Sequence, residues 1–243
     1  MNIMNIMNII KKIIRKLVNS FGIDIVKLEK PSGLDNPYCQ YSKVKGNIID
    51  VEMLGKMSLT IPGMITPEAG KFLYSLCYMQ DLEGDVVEIG SWQGRSSTFL
   101  ARAVKESGNG DFYAIDHFGG NPGKADFYKI NGSLSNLKDS FNDNLSRFGL
   151  IDSVNLLDMV NTQACEKLKG KKIRFLFVDG DHTKDGVKKD IELFFPQLEK
   201  GSIVVFDDYF KAFPGLIDAV DEIFEKYDFD KVFYHRHTLV IKL

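Results

Sequence analysis

Only 3 cysteines occur in 243 residues, at positions 39, 77 and 165. None sits in a C-x-x-C pair or at zinc-binding spacing. That scarcity excludes a disulfide scaffold and a structural zinc site, and it fits reduced thiols in a cytoplasmic setting. Long apolar runs are missing too. No stretch reaches the ~20 residues that span a bilayer, so a transmembrane helix is not expected. There is no excess of charge of one sign, and a formal net charge of −2 gives no global pull toward nucleic acid. Internal repeats and low-complexity tracts are absent apart from the opening Asn-Ile-Met triplets. What remains is ordinary: 44% apolar, 26% charged, and enough length for one α/β domain with appendages.

Residues 1–58 read as a separate preface to that domain. Ile3, Ile6, Ile10, Ile13, Leu17 and Phe21 recur at helical spacing, with Lys11, Lys12, Arg15 and Lys16 clustered among them, so residues 1–28 are expected to form an amphipathic helix. The basic cluster follows the first apolar residues, which is the wrong order for a signal peptide. Such a helix suits packing on its own domain or a homodimer contact; a membrane-surface role is the weaker reading. Pro31, Gly33, Pro37 and Gly46 then break any periodicity, and residues 29–62 read as an irregular arm. Thr66-Pro67-Glu68 opens a helix, with Thr66 as the cap and Phe72, Leu73, Leu76 and Met79 as its expected apolar face.

The rest of the chain is organised around Asp85-Val86-Val87-Glu88-Ile89-Gly90-Ser91-Trp92-Gln93-Gly94-Arg95-Ser96-Ser97. A β-branched run ends in an acid, turns between two glycines and enters a helix. That arrangement presents free backbone N–H groups to a ligand. Gly90 and Gly94 let the backbone approach it, and Ser96 can cap the helix or bond a carboxylate. The G-x-x-x-G spacing differs from the G-x-G-x-x-G of dinucleotide binders, which argues against a nicotinamide dehydrogenase. A second strand ends at Asp116, 22 residues beyond Gly94, close to the offset at which an acid meets ribose hydroxyls in βαβ nucleoside sites. A glycine-rich loop over 119–133 reads as a lid or acceptor-binding segment. A third strand near 154–157 leads into Asp158 and Met159, where a loop could meet an adenine edge.

Two further buried strands end in acids. Ile173–Val178 runs into Asp179-Gly180-Asp181-His182, and Gly201–Phe206 into Asp207-Asp208-Tyr209. Adjacent parallel strands would deliver Asp179, Asp207 and Asp208 to one edge, an oxygen-rich set suited to Mg²⁺ or Mn²⁺. Without a cation, carboxylates so gathered raise one another's pKa. Residues 231–234 and 238–241 read as a closing hairpin.

These motifs, in this order, resemble class I S-adenosylmethionine-dependent methyltransferases, and among them the metal-dependent small-molecule O-methyltransferases of the macrocin type. Val86 to Ser96 is similar to the family's first motif; Phe177 to His182 and Val205 to Tyr209 resemble its two acidic motifs. The resemblance covers roughly residues 59–243. It implies a doubly wound, Rossmann-like α/β sheet of seven strands, mostly parallel with one antiparallel strand. It implies that Glu88, Gly90 and Ser96, within the turn formed with Ser91, Trp92 and Gly94, hold the methionine end of S-adenosylmethionine, and Asp116 its ribose. It implies that Asp179, Asp207 and Asp208 hold the metal. His182 falls where catechol-type relatives place a lysine base, whereas macrolide and coumarin sugar enzymes use the Asp181 position, so both are candidate bases. The implied reaction is methylation of a hydroxyl on a small molecule, a sugar or glycosylated natural product. Two other readings stay open: metal-independent methyl transfer, and a non-catalytic cofactor-binding scaffold.

Overall fold

The computed structural model describes residues 51–120 and 136–243. The helix expected over 1–28 and most of the glycine-rich loop lie outside them. The first described helix, α1 (Val51–Ser58), falls where the sequence suggested an irregular arm. The breakers that prompted that reading all precede residue 51, and Leu54 and Ser58, one turn apart, are buried. The compact unit accordingly begins at Asp50, ahead of a boundary after residue 58.

Helix α2 (Pro67–Tyr78) starts as its sequence dictates: Thr66 Oγ1 accepts from the Ala69 N–H at 3.2 Å, with Pro67 in the first turn. Its buried stripe is Gly70, Leu73, Tyr74 and Cys77, whereas Met79 is 73% exposed. The apolar face read from the sequence was rotated because glycine carries no hydropathy signal, yet Gly70 is the contact point. A Cβ there would lie 2.1 Å from Phe99 Cε2, so the absent side chain lets α2 press onto the next helix.

Strand β1 (Asp85–Ile89), α3 (Arg95–Ser107), β2 (Phe112–Ile115), α4 (Leu137–Arg147), β3 (Asn155–Leu157), α5 (Asn161–Lys167), β4 (Ile173–Val178), α6 (Lys184–Phe194), β5 (Leu198–Phe206), α7 (Pro214–Lys226), β6 (Lys231–His235) and β7 (Thr238–Lys242) follow. The seven strands form one sheet in the order β3-β2-β1-β4-β5-β7-β6. Strands β1 to β5 pair in parallel; β7 runs antiparallel to both neighbours and is the one reversed strand. This is the doubly wound architecture expected. The order reverses between β1 and β4, the switch point where open α/β sheets bind ligands. β4 is buried along its whole length, as a central parallel strand covered on both faces should be.

One residue of β4 breaks the apolar rule. Arg174 is fully buried, yet its guanidinium is satisfied by carbonyls at the opposite end of the sheet: Nε to Gly84 at 3.0 Å, Nη1 to Cys77 at 2.8 Å and Nη2 to Asn109 at 3.1 Å. The end of α2 and two loops are thereby fastened at the N-terminal edge, and buried charge is tolerated because each bond is made. Among the described residues, no helix is long and apolar enough to cross a membrane.

The α2–α3 contact gives a direct test. Gly70→Ala should cost about 1–3 kcal/mol by overpacking, read as a lower urea midpoint. Adding Phe99→Leu should recover part of that loss, because the clash is with the ring. Strictly additive losses in the double variant would place the strain elsewhere.

Candidate active site

Four of the residues singled out from the sequence are held at the C-terminal edge of the sheet, each by one backbone bond past the end of its strand. Asp179 N–H donates to the Ile89 carbonyl (2.9 Å), Asp207 to Val178 (3.1 Å), Gly90 to Ile115 (2.9 Å) and Asp116 to Leu157 (3.3 Å). The sheet thus extends one rung into the site, and this rung sets where each functional side chain begins.

Gly90 is the tightest point. Its φ is +88°, and a Cβ would stand 2.3 Å from the Asp179 carbonyl oxygen. No L side chain fits both constraints. The glycine turn and the first acidic motif are therefore in direct contact. Trp92, Phe118 and Asp208 also take positive φ (+49°, +52° and +55°) without being glycine. All three flank this edge, and strained backbone of this kind concentrates at functional sites.

Asp116 stabilises two of those strained residues. Its Oδ2 accepts from Trp92 N–H at 2.9 Å and its Oδ1 from Phe118 N–H at 2.7 Å. Burial raises its pKa, and the Trp92 and Phe118 N–H groups pull it back down. Asp116 therefore shapes the glycine turn, and each carboxylate oxygen keeps a second lone pair for a ligand hydroxyl.

Glu88 lies beneath the turn, fully buried. Ser97 Oγ donates to its Oε2, joining the neighbouring Ser96 that the sequence offered as a partner for a carboxylate. Burial pushes the carboxyl up to about 7, opposed by the Ser96, Ser97 and Ser91 hydroxyls. Those hydroxyls ease the charge, yet Glu88 Oε1 and Ser91 Oγ are left buried with no aligned hydrogen-bond partner among the described residues. Orphaned acceptors beside a glycine turn fit an ammonium-bearing ligand. Gly94 precedes the first residue of α3 and takes φ +88°. Arg95 is structural: it donates to the Ile61 carbonyl at 2.7 Å and to Ile65 at 3.0 Å.

A cleft of about 320 Å³ opens beside this turn, lined among others by Gly90, Asp116, Asn161, Asp181 and Asp190. Asp158 and Met159 are not in its lining: Asp158 pairs with Lys138 at 2.9 Å, and Met159 packs on the core. The sequence reading missed Asn161 and Asp190. Asn161 Nδ2 donates to Asp190 Oδ1, and burial pushes Asp190 up to about 7. A signal was present, since Asp190 interrupts the buried stripe Val187, Ile191 and Phe194 of α6.

Asp181 and His182 diverge. Asp181 folds back onto the start of α6, accepting from Thr183 N–H at 3.0 Å and Thr183 Oγ1 at 2.9 Å. His182 turns the other way, its ring 4.6 Å from that of Phe213. Its Nε2 lies 3.7 Å from Asp179 Oδ1 and 3.5 Å from Asp208 Oδ2. One ligand atom from each of Asp179, His182 and Asp208 falls within 4.8 Å of the others. Asp207, the third acid of the expected metal set, instead accepts from Thr238 Oγ1 at 3.1 Å. Burial and the adjacent Asp208 raise its pKa to about 6. Nothing in the sequence pointed to Thr238, because its contact depends on how the closing hairpin pairs with β5.

Comparison with known proteins agrees with this geometry. A family described as a methyltransferase domain matches residues 87–209, from β1 through the second acidic motif. The uncharacterized protein R132 of Acanthamoeba polyphaga mimivirus is 40% identical over 53 residues, 21% of this chain; the chain spans 24% of that curated relative's length. Among solved structures, the O-methyltransferase NovP superposes with a TM-score of 0.61 at 20% identity, covering 74% of this chain and 81% of NovP. An O-methyltransferase from Bacillus cereus in complex with SAH gives 0.59 at 15% identity, covering 85% and 96%. The calicheamicin methyltransferase CalS11 gives 0.55 at 16%, covering 82% and 99%. At these identities the likeness is one of fold.

The buried acids set a pH dependence. Below about 4.5, Glu88 is protonated in both folded and unfolded chains and costs nothing. Between 4.5 and about 7 the unfolded chain ionises first, so folding is increasingly penalised as pH rises, fully so above 7. Glu88→Gln removes that contribution. Urea unfolding of the ligand-free protein at about pH 5 and about pH 8 should show a smaller loss of stability in the variant than in the wild type. An identical loss in both would mean that Glu88 is ionised in the fold at pH 5.

Proposed function

We propose, from its membership of the methyltransferase-domain family and its class I fold, that the chain is an S-adenosylmethionine-dependent enzyme that methylates a hydroxyl of a small molecule with the help of a divalent cation. The observation that carries the proposal is the convergence of Asp179, His182 and Asp208 beside the glycine turn. The two carboxylates suit Mg²⁺ or Mn²⁺, hard ions that favour oxygen ligands, and we assign the imidazole beside them to proton transfer.

When bound, S-adenosylmethionine supplies an electrophilic methyl group on sulfur, and a cation supplies positive charge that favours ionisation of a nearby hydroxyl. The chain's own residues do the rest. Glu88 and Ser91 offer buried acceptors for the methionine ammonium, and Asp116 offers lone pairs to the ribose. Asp179 and Asp208 would hold the cation from the ends of adjacent strands, while Asp207 braces the motif against Thr238. His182 Nε2 takes the proton of the acceptor hydroxyl. We assign that role to His182 over Asp181 because Asp181 turns back onto Thr183 at the start of α6, whereas the imidazole stands beside Asp179 and Asp208. The Phe213 ring against the imidazole keeps water from it and fixes its orientation. Orientation of the acceptor toward the methyl group is then a large part of the acceleration.

A vicinal diol, on a sugar or a polyphenol, would match two acceptor oxygens to such a centre. CalS11, described as a TDP-rhamnose 3'-O-methyltransferase, makes a sugar the first class to assay. One observation favours a second reading: a protonated His182 could pair with both carboxylates and make the metal unnecessary. EDTA decides between them. Incubation with radiolabelled S-adenosylmethionine and a panel of sugar and phenolic acceptors should label product with Mg²⁺ or Mn²⁺ and lose it with EDTA; undiminished labelling with EDTA selects the metal-free reading.

Role assignments follow. Asp179→Asn should weaken metal binding, so that excess Mn²⁺ partly restores turnover. His182→Ala should lose about 10²–10⁴ in turnover, the usual worth of a positioned base. Excess metal should not rescue it, whereas raised pH should. Metal rescue of His182→Ala but not of Asp179→Asn would reverse the roles.

A further inference from the structure

We infer that the open edge of β6 is a homodimer interface, across which two copies of this chain extend their sheets into one. Among the described residues β6 is the terminal strand of the sheet, and all five of its residues are exposed. Its centre is apolar: Val232 is 44%, Phe233 43% and Tyr234 53% exposed. Natural edges are blunted by proline, bulges or inward charge, and the middle of this one has none of these.

The direction of the backbone groups fixes how a partner could add. Leu243 N–H bonds the Ser202 carbonyl at 3.0 Å, so the odd-numbered residues of β7 face β5. The even-numbered ones face β6, pairing Val240 with Phe233 and Thr238 with His235. The N–H and C=O groups of Val232 and Tyr234 therefore point to the open edge. An antiparallel copy related by a two-fold axis through Phe233 sets Val232 opposite the partner's Tyr234, with all four groups bonded. Phe233 meets the partner's Phe233 in the closer, non-bonded position, where aromatic pairs add most.

Charge selects this register. It brings Asp230, just before β6, to the end of the partner's β6 where the partner's Arg236 opens the turn into β7 (φ +57°), twice over by symmetry. Both residues are exposed and enter no ion pair among the described residues. A shift of two residues one way sets Asp230 against the partner's Tyr234, and the other way carries it past the partner's turn; either loses the match. A shift of one points the backbone groups the wrong way.

The same hairpin holds the second acidic motif, through Thr238 to Asp207 and through the His237 carbonyl, which accepts from Tyr209 N–H at 2.6 Å. Pairing would therefore brace the candidate site from outside, although the inference does not depend on the proposed reaction.

Sedimentation of the full chain from about 1 to about 100 µM tests it, a span in which a micromolar interface assembles. The wild type should form a dimer. Val232→Pro removes an outward N–H and no β6–β7 bond, and should weaken association at least tenfold while the thermal midpoint holds. Asp230→Arg and Arg236→Asp should each weaken association, and the double swap Asp230→Arg/Arg236→Asp should restore it even if the proline variant misfolds. A monomeric wild type overturns the inference. So does a dimer indifferent to the charge swap, which would place the contact elsewhere, for example on the amphipathic segment read over 1–28.

Discussion

Everything at the candidate site depends on one close approach: the Gly90 backbone against the carbonyl of Asp179. Two strands of different origin meet there, because the doubly wound order sets β1 beside β4 at the point where the chain reverses direction across the sheet. The missing Cβ lets the turn after β1 lie against the acidic loop after β4. A cofactor held by the first and an acceptor held by the second would then be adjacent without any domain closure.

Burial at this edge creates an electrostatic tension that the fold does not relieve by itself. Glu88, Asp116, Asp190 and Asp207 all have raised pKa values, and in each burial is the largest cause. At the opposite edge, Arg174 spends its donors on carbonyls and offers no charge to these acids. A region of gathered, desolvated acceptors is unfavourable in the free protein and favourable once positive groups arrive. That is the physical case for a ligand bearing an ammonium or sulfonium.

Much of this was legible in the sequence because strands in parallel sheets announce themselves. Continuous apolar runs ending in Glu88, Asp116, Asp179 and Asp207 gave the strands, and the topology of such sheets sends their ends to one side. Gly90 and Gly94 were readable for the same local reason. What the sequence withheld was direction. Asp181 and His182 are neighbours, yet one folds back onto Thr183, the cap of α6, and the other faces Asp208. Asp207 and Asp208 are likewise adjacent, and only the hairpin's Thr238 shows which is braced and which is presented. Helix α1 and the Gly70 contact were hidden because breakers and glycines read as absence of structure when they can mark close packing.

The central claim is that the cofactor turn and the acidic motif form one mechanical unit. Gly90→Ala tests it most directly, in protein shown to be folded, by measuring SAH affinity by calorimetry and Mn²⁺ affinity by electron paramagnetic resonance on the same sample. The account predicts that both fall together, each by about tenfold or more, because a Cβ at residue 90 displaces the backbone of Asp179. Loss of SAH binding with Mn²⁺ affinity unchanged would contradict it.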